Sequence, residues 1–166
     1  MDISYETNVN AFISQMITHF TDFKSIMNKN ANRVIESIHP TVSELHDSYS
    51  EHLIGSVEGA INDSIYEFRI LSDKLLKRSI TVLSFNDFIF KDVFDGLKDN
   101  IDNATEYAYD HMEPLHDEDN DEDNVVDYDN NPDYQPYSDA KIDNRTSDLI
   151  VKYNQLYDAL LKQYIK

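Results

Sequence analysis

Ile54, Ile61, Phe68, Leu75 and Val82 stand seven residues apart, and no proline interrupts the chain between Pro40 and Pro114. Seven is an odd number, so a strand would throw successive members of this ladder to opposite faces. A helix keeps all five on one side. Leu45, Tyr49, Leu53, Val57, Ile65 and Leu71 widen the same stripe, so one helix is expected over about 42–83. Before it, Val9, Phe12, Ile13, Met16, Ile17, Phe20, Phe23, Met27, Val34, Ile35 and Ile38 recur at spacings of three and four. Pro40 ends that first helix, because the residue before a proline disfavours the helical basin. Thr41 and Glu44 then read as a capping box for the second.

Ser84 and Asp87 read as a further helix start. A third helix would carry Phe88, Val93, Phe94, Leu97, Ile101, Ala104, Ala108 and Met112, and end before Pro114. Residues 80–90 are dense in β-branched and aromatic side chains, so a short strand competes there. From about Thr146, an amphipathic C-terminal helix carries Leu149, Ile150, Tyr153, Leu156, Tyr157, Leu160, Leu161 and Tyr164. Lys162 and Lys166 suit the negative end of its dipole. The expected class is all-α: an elongated helical bundle or coiled coil of three long helices, an acidic irregular arm and a separate C-terminal helix. A stripe of some forty residues would span roughly 60 Å at 1.5 Å per residue. Either the second helix is broken or it packs on another chain, and an oligomer or larger assembly is expected. Gly55, Gly59 and Ala60 mark either a close helix–helix approach or a local weak point.

Charge divides the 166 residues into three. The helical body, 1–112, has 18 acidic and 9 basic groups; residues 113–139 have 11 acidic groups and no Lys or Arg; the tail, 140–166, has 3 acidic and 5 basic groups. The expected domains are accordingly a body over 1–112, an arm over 113–145 and a C-terminal helix over 146–166. A net charge of −18 opposes binding to nucleic acid or an anionic membrane and favours basic protein surfaces. No apolar run reaches the roughly 18 residues of a membrane span. No signal-peptide pattern is visible, so a cytoplasmic or in-particle location is expected.

There is no cysteine, which excludes disulfides, thiolate metal sites and thiol nucleophiles. No nucleotide-loop, nucleophile-elbow or zinc-protease motif occurs, so no catalytic residue, cofactor or enzymatic activity is expected. Asp119, Asp121, Asp123 and Asp127 match positions 1, 3, 5 and 9 of a calcium-binding EF-hand loop. Asn124 stands where that loop needs glycine and Asn130 where it needs a bidentate glutamate, so this is a weak metal candidate. His111, Glu113, His116 and Asp117 form another cluster, but the histidines are five apart with Pro114 between them. A helical zinc pair needs a spacing of four.

Tyr128, Tyr134 and Tyr137 interleave with Asp127, Asp129, Asp133 and Asp139. Carboxylates attract Arg and Lys, and phenol rings stack on guanidinium planes. The expected partner-binding residues are Asp119, Asp121, Glu122, Asp123, Asp127, Tyr128, Asp129, Asp133, Tyr134 and Tyr137, with Leu149, Tyr153, Leu156 and Leu160 on the C-terminal helix. The competing reading is a solubilising linker. Three functions follow as expectations. The first is a non-enzymatic structural or assembly protein that joins a complex through its stripes and its acidic arm. The Asn, Asp, Ile, Lys and Tyr bias suits an AT-rich phage or viral source, and the layout is similar, by analogy only, to viral scaffolding and connector proteins. The second is a DNA mimic that displays Asp63, Glu67, Asp73, Asp92, Asp95, Asp99, Asp102 and Glu106. The third is a calcium-responsive module.

Overall fold

The computed structural model describes residues 3–113 and 130–164. Helix α1 (Ile3–Ser37) and helix α2 (Ser43–Leu76) form an antiparallel hairpin. Phe12 and Phe20 both meet Phe68, and Lys24 donates to Asn62 across the same seam. A composite third rod follows: α3 (Val82–Ile89), one π-helical turn (Phe90–Phe94), α4 (Asp95–Asp102) and α5 (Ala104–Asp110). The short α6 (Gln135–Ser138) precedes α7 (Thr146–Tyr164), which runs back along α1 and α3. The result is an up-down-up-down four-helix bundle, with no strand among the described residues. The region 80–90 is helical rather than extended.

The α1 stripe is buried as the spacing requires: Val9, Phe12, Met16, Phe20, Phe23, Met27 and Val34 all face inward. An aromatic node ties the four rods together. Tyr153 of α7 lies 6.1 Å from Phe12 of α1 and 5.1 Å from Phe94 of the third rod, while Phe68 of α2 closes on Phe12 and Phe85. The stripe of α2 is therefore used inside one chain. So is that of α7, where Tyr157 donates to the Val82 carbonyl at 2.8 Å and Tyr153 to Asn86 at 2.9 Å. The exposed large apolar side chains, such as Ile26, Tyr66, Leu83 and Val151, stand on four different helices rather than in one row.

Three boundaries differ from expectation, each for a local reason. Helix α2 stops at Leu76, short of residue 83. There Ser79 N–H donates to the Lys74 carbonyl and Arg78 N–H to that of Leu75, the paired bonds of a Schellman turn. Arg78 takes φ 60° at the position usually given to glycine, and its guanidinium lies 3.8 Å over the Tyr5 ring. The next helix is capped by Thr81, whose Oγ1 accepts from Ser84 N–H at 3.0 Å, so it begins at Val82. The expected Thr41–Glu44 capping box is not made, because Val42 occupies the N-cap position. Thr41 instead donates to the Asp133 carbonyl at 3.0 Å. The third rod is also not one continuous helix. Its π turn inserts one extra residue, which leaves Val93 and Phe94 buried in succession and rephases the stripe onto Leu97, Ile101, Ala104 and Ala108.

Candidate functional site: a carboxylate face with a groove

Charge separates between the two sides of the bundle. Helices α1 and α7 are each balanced, with three acidic and three basic residues on α1 and two of each on α7. Residues 43–68 of α2 hold six carboxylates and no Lys or Arg, and residues 99–113 hold five and none. The antiparallel packing of α2 on α4 and α5 joins these two stretches into one face. Glu44, Asp47, Glu51 and Asp63 are exposed on one side of it, and Asp99, Glu106 and Asp110 on the other. Among the described residues the salt bridges are Lys77–Asp73, Arg145–Asp143 and Arg145–Asp148, none of which neutralises a member of the face. Asp102 accepts a hydrogen bond from Asn144 at 2.7 Å.

A groove of about 570 Å³ runs along this face between α2 and the α4–α5 rod. Gly55 and Gly59 form its floor, and a Cβ at either position would meet nothing within 4 Å. Glu51 and Asp63 stand toward its two ends, with Asn100, Asn103 and Tyr107 opposite. Tyr107 stacks on His111 at 4.0 Å, and His52 approaches the Tyr107 ring at 6.4 Å, so the wall near Glu51 is aromatic. Of the two readings of the small-residue patch, close helix approach does not describe the glycines: they open a groove.

Beyond the groove the chain returns to the α1–α2 corner at two points. Glu113 N–H donates to Ser48 Oγ at 2.9 Å, and Asp133 is held by Thr41. Tyr134 and Tyr137 are fully buried. Tyr137 packs 5.0 Å from Tyr49, and its hydroxyl lies 3.3 Å from His46 Nδ1. Burial pushes the Tyr49 phenol well above its ordinary value of 10.0, and Tyr137 upward as well. Burial likewise raises Tyr153, with Tyr157, Asp158 and Asp87 adding to the shift.

Of the residues expected to bind a partner, Asp119, Asp121, Glu122, Asp123, Asp127, Tyr128 and Asp129 lie outside the described residues, and the EF-hand match lies there too. Asp133 sits at the corner, half-buried. Tyr134, Tyr137, Leu149, Tyr153 and Leu160 are buried in this chain's own core, and Leu156 packs against it. In this fold those six side chains have an intramolecular occupant in place of the partner surface expected from their pattern. The physical reason is that an amphipathic stripe does not reveal which apolar surface will cover it. His116 and Asp117 are likewise outside the described residues. Among the described ones no group of three His, Asp or Glu side chains is placed to hold a metal ion, and no helix is long and apolar enough to cross a membrane. Sequence reasoning named Asp63, Glu67, Asp99 and Glu106 among the outward acids but not their meeting across α2 and α5, although residues 34–68 lack Lys and Arg entirely, which was the available signal. No protein-family model matches the chain, and no curated protein or solved structure matches it.

Proposed function

We propose that this protein is a non-enzymatic docking component of a larger assembly, and that it holds a basic protein surface against its α2–α5 carboxylate face. One observation carries the reading: packing α2 against α4 and α5 sets side by side two Lys/Arg-free stretches that together hold eleven carboxylates, and none of the ion pairs among the described residues involves one of them. Concentrating like charge on one side destabilises a compact fold. An opposite surface that relieves the repulsion gains both attraction and association rate. The stripes first assigned to oligomer formation are used within the chain, so association runs through charge in this reading. The Asn/Asp/Ile/Lys/Tyr bias supports a viral or phage particle, or the cytoplasm in which one assembles, as the setting.

Calorimetric titration with an arginine-rich protein tests the proposal at two salt concentrations. Binding is expected at about 50 mM salt and should weaken strongly by about 200 mM, as screening shortens the Debye length. Absence of binding at the lower salt overturns the proposal. If the bound protein is a DNA-binding protein that duplex DNA displaces, the docking face acts as a DNA mimic.

A further inference from the structure

We propose that the α2–α5 groove is the subsite that receives an extended, arginine-bearing peptide segment of the basic partner, an inference that rests on the docking reading above. Shape, floor, wall and charge each contribute. Glu51 and Asp63 are twelve residues apart on α2, roughly 18 Å along the axis at 1.5 Å per residue. An extended peptide covers that distance in about six residues at roughly 3.3 Å each, and an even spacing keeps both side chains on one face. Two cationic side chains six positions apart, on the same face of the segment, can therefore meet both carboxylates at once.

The floor explains the glycines. Gly55 and Gly59 lie inside a long helix, where glycine is less favourable than alanine. Neither makes room for a neighbouring helix, since a Cβ would meet nothing within 4 Å. Their effect is to keep the groove deep and to leave the α2 backbone open to a second backbone. Asn100 and Asn103 line the opposite wall. Their amides offer both donors and acceptors, as an extended peptide backbone requires.

The wall selects arginine over lysine. The Tyr107 ring is 45% exposed and is backed by His111 at 4.0 Å. A ring held in place in the same groove as the Glu51 carboxylate gives a planar guanidinium both a stacking surface and a counter-charge. An ammonium uses only the second.

The experiment is fluorescence anisotropy on the full chain, with a labelled peptide carrying two arginines six positions apart in an Ala/Ser background. Gly55→Leu/Gly59→Leu fills the groove from its floor and is expected to weaken binding at least about tenfold with helicity unchanged. Tyr107→Leu is expected to remove the preference for arginine over a matched lysine peptide, and it serves as the second test should the double leucine variant fold poorly. Glu44→Gln/Asp47→Asn, on the same face outside the groove, is expected to weaken binding only a few-fold. If the leucine variant binds as tightly as the wild type while Glu44→Gln/Asp47→Asn weakens binding, the groove is not the subsite and the docking face stands. Equal affinity for arginine and lysine peptides, unchanged in Tyr107→Leu, overturns the role of the wall. If the wild type binds neither the peptide nor an arginine-rich protein, both readings fall.

Discussion

Asn30 donates from Nδ2 to the backbone carbonyl of Asp143 at 2.8 Å, although 113 residues separate them. Asn30 is buried in the α1 stripe, and Asp143 lies just before α7. The bond fixes where the last helix enters the bundle. Asn144 then accepts from Thr146 N–H at 3.0 Å, which sets the start of that helix. Replacing Asn30→Leu keeps the branched shape of the side chain and leaves the Asp143 carbonyl without this donor. A loss of about 1–3 kcal/mol is expected in urea unfolding. No loss would mean that α7 is not seated on α1 in solution.

Tyr153 tests the same packing from the other side. Its ring touches Phe12, Phe90 and Phe94, and its hydroxyl donates to Asn86. Tyr153→Ala should cost about 3–5 kcal/mol through the cavity it leaves, whereas Tyr153→Phe should cost about 1 kcal/mol for the hydrogen bond. If instead α7 were an exposed partner-binding helix, Tyr153→Ala would leave the urea midpoint nearly unchanged.

Gly55 and Gly59 separate stability from binding. Alanine fits at both positions because the space above them is open. Gly55→Ala and Gly59→Ala should each stabilise the fold by about 0.5–1 kcal/mol through helix propensity. Thermal unfolding measures this directly, and a decrease in Tm would show that the glycines are there for packing.

Alkaline pH should unfold the protein. Burial raises the phenols of Tyr49, Tyr153, Tyr157, Tyr137 and Tyr5 above their ordinary 10.0. Above that pH the unfolded chain loses these protons while the folded chain keeps them. Their contribution is therefore fully present below pH 10 and is lost as pH rises beyond it. The phenolate absorbance of these five buried tyrosines should appear together with loss of helicity. The Tyr49 hydroxyl is buried without a hydrogen-bond partner. Tyr49→Phe should accordingly raise stability by about 1 kcal/mol at neutral pH and blunt the alkaline loss. Titration of Tyr49 near pH 10 with helicity intact would contradict its burial.

How far the fold could be read ahead of the structure depended on where the deciding interaction lay. The α1 stripe, the stops near Pro40 and Pro114 and the existence of α7 rest on local spacing and on proline, and all were legible. The stop at Leu76 was not, because the Schellman turn is closed by Arg78 rather than glycine and is supported by Tyr5 from seventy residues away. The π turn was also hidden, since it shows only as Val93 and Phe94 facing the core together. The burial of Tyr134 and Tyr137 misled most. Tyrosine among aspartates looks like a solvated docking segment until Tyr49 and Thr41 are seen to hold it. The groove needs Gly55 and Tyr107 on facing helices, a pairing that neither stretch announces alone.

The carboxylate face is tested most directly by removing the same amount of charge from two places. One variant carries Glu44→Gln, Asp47→Asn, Glu51→Gln, Asp63→Asn, Asp99→Asn and Glu106→Gln. The other carries Glu6→Gln, Asp22→Asn, Asp73→Asn, Asp87→Asn, Asp92→Asn and Asp158→Asn. Both move the net charge from −18 to about −12. The measurement is the Kd of each for one arginine-rich protein at one low salt concentration. The face variant should lose at least about tenfold and the other should stay within about twofold of the wild type. Equal losses in the two variants would show that net charge alone attracts the partner, and would contradict a built docking face.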